Sequence, residues 1–365
     1  MKCQLLMSLA AAGLFLTAGA MAETNFEIQA VDQDGYCIHP KLGAEPVPDN
    51  LITIEGICLN DPEDMLDPAS QWQIFVQGTG DDLGGTAVWA GKFYQASVWQ
   101  QELDRLNGSG LREGDLVRVV GYGMAVGGKA NINERHSPAP QMDFTVTVLQ
   151  SGVGLPEPEA ATIADLNTFD AARLTGGERY QCRRIRLEGA VVSELTGGSW
   201  GSNQDVVIAD AEDPDNPDKQ ILLALRNVDF GTQAPQGPFN IVGLGNQEPQ
   251  FDGTPVPGTG LTDGYQVWVT RADGIIASGD GNEDGRVSYL DVGIVATNYG
   301  RTGVGWSAGD FTGDGAVTYL DLGLLTTNYG YGPSGGGVCP EPVTLIPLAL
   351  GLWAALRPRR AERRK

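Results

Sequence analysis

Residues 280–291 place oxygen-bearing groups at a spacing that suits a hard cation. Asp280, Asn282 and Asp284 stand at positions 1, 3 and 5 of this stretch, Ser288 at 9 and Asp291 at 12, while Arg286 at position 7 offers its backbone carbonyl. Gly285 at position 6 permits the sharp turn that wraps such a loop around one ion. Ca²⁺ takes six to eight oxygens in flexible geometry, and a single segment of this pattern supplies most of them. Thirty residues on, the pattern returns as Asp310, Thr312, Asp314, the Ala316 carbonyl, Thr318 and Asp321, with Gly315 at the turn. Two calcium ions are therefore expected, the second held more weakly because Thr312 stands where Asn or Asp is usual.

The elements that must position these loops come next. Each loop runs into an apolar segment of helical character, residues 291–300 and 321–330, and both close with Asn-Tyr-Gly. Glycine is a natural helix stop, so two loop–helix units are predicted. The pair resembles a type I dockerin domain, in which each unit lacks the first helix of a full EF-hand and carries Asp at position 12. That resemblance implies calcium in both loops and docking of the folded pair onto a cohesin module. Tyr289, Leu290, Tyr319 and Leu320 occupy positions 10 and 11, the cohesin-contacting positions of that family. Their identity in the two copies lets either half present the same face. They are not the small hydroxyl pair of the best-known cellulosomal dockerins, and packing of the helix pair is the competing role for them.

Ahead of the loops, residues 24–275 carry short, alternating, β-branched runs bounded by turn residues, which is the grammar of strands. Two halves repeat weakly. The first has Ile52-Thr53-Ile54-Glu55-Gly56, then residues 74–76, 86–90 and Val119-Val120-Gly121-Tyr122-Gly123. The second has Ile185-Arg186-Leu187-Glu188-Gly189, then residues 206–208, 221–225 and Ile241-Val242-Gly243-Leu244-Gly245. Glycine inside such strands usually marks a bulge or a barrel corner. A linker-like stretch at 151–159 and a short helix over 162–174 are expected between the halves. The strand order resembles the OB-fold, a five-stranded Greek-key barrel. It is similar to the tandem OB-like modules that accompany secreted bacterial nucleases, which implies contact with nucleic acid or another ligand. Composition opposes nucleic acid. Asp and Glu number 46 against 24 Lys and Arg, a net charge of −22, and such a field repels polyanions and favours cations.

Both ends carry sorting patterns. Lys2, an apolar run from Leu5 to Ala22 and the small-x-small site Ala20-Met21-Ala22 read as a secretory signal peptide. Near the other end Pro340, Glu341 and Pro342 precede an apolar stretch at 343–356 and a basic end at 357–365. As a helix that stretch spans about 21 Å at 1.5 Å per residue, short of the ~30 Å hydrocarbon core. The basic end stays cytoplasmic. This tripartite tail resembles the PEP-CTERM sorting signal. The resemblance implies recognition by an exosortase at Pro340-Glu341-Pro342, membrane contact through the tail at least during sorting, and a cell-envelope or extracellular destination.

Export implies an oxidising compartment, so Cys37 and Cys58 are candidates for a disulfide, with two independent buried thiols as the alternative. Catalytic patterns are sparse. His39 and His136 are the only histidines, and neither HExxH nor CxxC occurs. A GxSxG match at 332–336 lies in a Gly-rich spacer without the strand–turn–helix context a nucleophile needs. Paired carboxylates for glycoside hydrolysis are not settled by spacing; Glu55 and Glu188, at the same place in both halves, fit strand-end structure better. Trp72, Trp99, Trp200 and Trp268 would stack on sugar rings if exposed and pack in the core if not.

The expectation is a mainly β protein. Two OB-like five-stranded barrels at 23–150 and 151–275 follow a signal peptide at 1–22. A small α dockerin-like pair of calcium loop–helix units at 276–332, a Gly-rich linker at 333–339 and the sorting tail at 340–365 complete it. The expected role is that of an exported interaction protein of the cell surface or matrix, non-enzymatic, which binds two Ca²⁺ and docks a cohesin-like partner. An accessory of polysaccharide degradation or binding is the alternative from another class, since dockerins elsewhere attach carbohydrate-active enzymes to scaffolds. A nucleic-acid-binding OB protein is the third, disfavoured by charge.

Overall fold

The computed structural model describes residues 22–66, 71–91, 110–134, 143–195, 199–248 and 261–333. Most of the stretch read as a signal peptide (through residue 21), the Gly-rich stretch from 334, Cys339, the Pro340-Glu341-Pro342 motif and the apolar stretch lie outside them, as do Trp99 and His136.

The chain is mainly β and forms two closed five-strand barrels. In the first, β1 (Ile52–Cys58), β2 (Gln71–Gln77), β3 (Gly85–Gly91), β4 (Leu116–Val126), β5 (Lys129–Glu134) and β6 (Phe144–Gln150) lie in the order β1-β2-β3-β5-β4-β6. Pairing of β1 with β4, Ile52 opposite Gly121, closes the first five into a ring. The ring is forced by alternation. Along β4, Val117 and Val119 point into the core while Arg118 points out, so the strand has one apolar face to bury. Gly121 marks no bulge. A Cβ there would lie 2.5 Å from Phe144 Cβ, so glycine lets β6 come close, and the ladder slips instead between Leu116 and Val117.

The second barrel repeats the circuit. Its strands are β7 (Glu159–Ala160), β8 (Arg184–Leu195), β9 (Gln204–Asp210), β10 (Gln220–Leu225), β11 (Phe239–Gln247), β12 (Tyr265–Val269) and β13 (Ile275–Ala277). The order β13-β11-β12-β10-β9-β8-β7 with β11–β8 pairing gives β8 to β12 the places of β1 to β5. In both barrels the third and fifth strands run parallel, Ala87 against Asn131 and Leu222 against Gln266. Among the described residues before the loops the helices are short: α1 (Asn25–Ile28), α2 (Ile163–Leu166) and α3 (Gly176–Tyr180). The helix expected over 162–174 is the single turn α2. Asp170 stops it by accepting the amide hydrogens of Ala172, Leu174 and Thr175, which folds the rest into a turn.

Corresponding outer faces of the two barrels meet. Ile57, Leu59, Phe75 and Ala87 of the first pack with Ala224, Leu244 and Trp268 of the second. Phe75 stacks on Trp268 with ring centroids 6.4 Å apart. The buried Lys129 ammonium crosses the junction to Asn246 Oδ1 at 2.8 Å and Glu248 Oε1 at 2.7 Å.

Two alternatives left open by the sequence are decided here. Cys37 and Cys58 are free thiols, not a disulfide. Cys58 lies in the first barrel's core and donates to Asn60 O, while Cys37 donates to Gly128 O. Burial raises both thiols, Cys37 to about 12, and keeps them protonated. The tryptophans considered for sugar stacking are core. Trp72 packs edge-on against Phe144 and Trp200 edge-on against Phe239, while Trp268 stacks on Phe75, each less than a tenth exposed.

Candidate metal centre

Asp280 follows β13 by three residues, and its N–H donates to Ala277 O at 2.9 Å. The second sheet therefore fixes where the first loop begins. Asp280 Oδ1 accepts the Asp284 N–H at 3.1 Å and Oδ2 the Gly285 N–H at 2.9 Å. Gly285 turns the chain at φ 78°, a left-handed conformation in which a side chain would be strained. At the far end Asp291 reaches back into the loop. Its Oδ1 accepts the Gly281 N–H at 2.9 Å and its Oδ2 the Ser288 N–H at 2.8 Å. Ser288 Oγ accepts from Leu290 N, and this capping box starts α4 (Tyr289–Asn298) two residues before the helix read from the sequence.

The second loop is built the same way. Asp310 accepts from the N–H groups of Gly313 at 2.9 Å and Gly315 at 2.8 Å. Asp321 accepts from Phe311 N and Thr312 N at 2.9 Å each and from Thr318 N at 2.7 Å. Thr318 caps α5 (Tyr319–Asn328) in a second capping box. Thr312, the departure from the usual Asn or Asp, donates its hydroxyl to Asp321 Oδ1 at 3.0 Å. The helices share a small core in which Val287, Val295, Phe311, Val317 and Leu325 are buried. Trp306 seals it, edge-on to Phe311, and donates its indole N–H to Asp280 O at 2.8 Å.

Asp280, Asp291, Asp310 and Asp321 are each 3 % exposed or less, and none has an ion-pair partner among the described residues. Burying a charge without a counter-charge is costly. Burial, then the neighbouring charges of Asp291 and Asp284, push the Asp280 carboxyl up to about 7. At Asp321 burial acts in the same direction, but hydrogen bonds from Thr318 and Thr312 outweigh it and hold the carboxyl below its ordinary range. A hard divalent cation is the kind of counter-charge that buried carboxylates of this sort can take. Carboxylates alone do not assemble it: among the described residues no three His, Cys, Asp or Glu side chains form a metal-holding group. A calcium site in these loops would need the neutral oxygens as well: Asn282, Ser288 and the Arg286 carbonyl in the first loop, and Thr312, Thr318 and the Ala316 carbonyl in the second.

The loops differ in their surroundings. Gly285 lies against Ala272 and Asp273, whereas a side chain at Gly315 would meet nothing within 4 Å. Glu283, at position 4 of the first loop, pairs with Arg186 of β8. Asn328 of α5 accepts from Gln236 N at 2.7 Å and donates to Ser278 O at 2.9 Å. The sequence reading missed this attachment. The signal available was that position 4 is Glu283 in one repeat and Gly313 in the other. Tyr289 and Tyr319 are each 72 % exposed, and Leu290 and Leu320 each 49 %. These four side chains do not pack the helix pair. A second Gly-x-Ser-x-Gly match, around Ser199, shows no triad geometry: its hydroxyl donates to Gln204 Oε1 at 3.3 Å.

Two five-strand barrels followed by paired loop–helix units, with two buried carboxylates in each loop, define a β-barrel protein bearing a candidate divalent-cation module. No protein-family model and no curated protein matches the chain.

Proposed function

We propose that this is an exported interaction protein in which two OB-like barrels form the body and a dockerin-like pair of calcium loops couples it to a protein partner. The observation that carries the reading is the recurrence, at one spacing, of two buried carboxylates per loop with no basic side chain paired to them among the described residues. Two Ca²⁺ ions would neutralise Asp280, Asp284 and Asp291 in one loop and Asp310, Asp314 and Asp321 in the other. Tyr289-Leu290 and Tyr319-Leu320 then form two equivalent docking faces for a cohesin-like module. Exosortase processing at Pro340-Glu341-Pro342 would deliver the protein to the envelope or beyond.

Calorimetric titration of the chelator-treated protein with Ca²⁺ tests the reading. Two binding events and a rise in melting temperature support it, and neither a heat of binding nor a thermal shift removes it. Docking is tested separately by surface plasmon resonance against an immobilised cohesin module. The Tyr289→Ala/Tyr319→Ala double variant should lose binding while keeping its calcium response.

A further inference from the structure

The two barrels part beyond the Phe75–Trp268 contact into a cleft of about 450 Å³, within the size range of small-molecule sites. Strand alternation supplies one wall. Gln71 and Gln73 of β2, Trp89 of β3, and Asn131 and Asn133 of β5 line it, with Gln73 opposite Trp89 and Trp89 opposite Asn133 in the ladders. Gln266 of β12 lines the other barrel's side together with Asp205 and Arg226.

These carboxamides are each used on one side only. Gln71 Oε1 accepts the Trp89 indole N–H at 3.2 Å, Gln266 Oε1 accepts that of Trp268 at 2.6 Å, and Asn131 Oδ1 accepts from Asn133 Nδ2. The other halves stay open. Nε2 of Gln71 and Gln266, Nδ2 of Asn131, Oδ1 of Asn133 and Oε1 of Gln73 have no partner among the described residues, and all but Gln71 belong to side chains less than a tenth exposed. Donors and acceptors are thus both on offer. The charges in the cleft close on themselves, Lys129 with Glu248 at 2.7 Å and Arg226 with Asp205 at 2.8 Å. No unbalanced ion faces a ligand, and a chain of net charge −22 repels phosphate, sulfate or uronate. The matching ligand is uncharged and rich in groups that donate and accept together. Sugar hydroxyls are such groups.

We propose that the inter-barrel cleft binds an uncharged oligosaccharide, free or as a segment of a longer glycan. The site uses no residue of the calcium loops and stands apart from their reading. A glycan array bearing uncharged and anionic chains, probed with the full chain in Ca²⁺ and in EGTA, tests it. Retention on uncharged glycans alone, unchanged in EGTA, is expected. The Gln73→Leu/Asn133→Leu variant should weaken retention about tenfold or more, and Asn131→Ala should do so independently if the double variant fails to fold. Competition by a soluble hexasaccharide separates the sources. Full competition assigns the free oligosaccharide and no competition assigns the polymer segment, and both support the site. The proposal is overturned if no glycan is retained, if only anionic glycans are, or if EGTA abolishes retention. Undiminished retention by the folded variants, or filter binding of single-stranded DNA in place of glycan, also overturns it.

Discussion

Glu283 holds Arg186 through two hydrogen bonds, 3.0 Å to Nη1 and 2.8 Å to Nη2, and so joins the first loop to β8 of the second barrel. The pair is partly exposed, and solvent screening limits it to about 1 kcal/mol. Glu283→Gln should lower stability to urea by that amount and speed amide exchange in residues 280–291 while leaving 310–321 unchanged. Equal acceleration in both loops would show that the pair does not anchor the first one.

Calcium should add stability by mass action, about 2.7 kcal/mol per site when free Ca²⁺ stands at a hundred times its dissociation constant. Asp280→Ala and Asp310→Ala should each delete one calorimetric binding event and leave the other. A variant that loses both events, or neither, contradicts the assignment of one ion to each loop.

Glu178 of α3 is fully buried, with Oε1 accepting from the Tyr265 hydroxyl at 2.9 Å and Oε2 from Gln181 at 2.8 Å. Burial raises its carboxyl from 4.5 to about 7, against the pull of Tyr265 and Arg173. With the folded value above the unfolded one, the native state holds the extra proton between those limits. Stability must therefore fall as pH rises through that window, by up to about 3 kcal/mol at ~1.4 kcal/mol per unit. Glu178→Gln keeps an acceptor for Tyr265 and should flatten the decline. Urea unfolding at pH 4.5 and 7.5 measures it, and an unchanged slope in the variant contradicts the account.

Gly85 sits where the barrels touch, and a Cβ there would lie 2.1 Å from the Cys182 carbonyl oxygen. Gly85→Ala must push the barrels apart, at about 1–3 kcal/mol. Phe75→Ala empties the same junction at about 3–5 kcal/mol. Scanning calorimetry should show a lower melting temperature in both and separate transitions where the barrels uncouple. A wild-type melting curve in Phe75→Ala would mean that the barrels do not depend on this contact.

The barrels were legible because alternation is local. Val117 and Val119 against Arg118 tell a strand which face to bury, and the paired Val-Gly-x-Gly segments locate β4 and β11. The two loop–helix repeats were legible for a similar reason, since each lies within one stretch of chain. The cleft was not. Gln73, Asn131 and Asn133 belong to no motif, and only the second barrel, whose lining residues lie about seventy or more positions further along the chain, makes them a wall. The helix starts were misplaced because Ser288 and Thr318 were counted as ion donors, whereas the structure shows them as helix caps.

The ends of the loop–helix pair are clasped. Val287 N donates to Tyr331 O at 3.1 Å and Gly330 N to Val287 O at 2.9 Å. Tyr331 packs into the cores of both the helix pair and the second barrel. Tension applied to the chain after Pro333 therefore enters the barrel at this clasp and bypasses the two helices, which are shielded from load until it gives way. In a single-molecule pull from that end, the clasp should rupture before either helix lengthens; helices that extend first would show that the load runs through them.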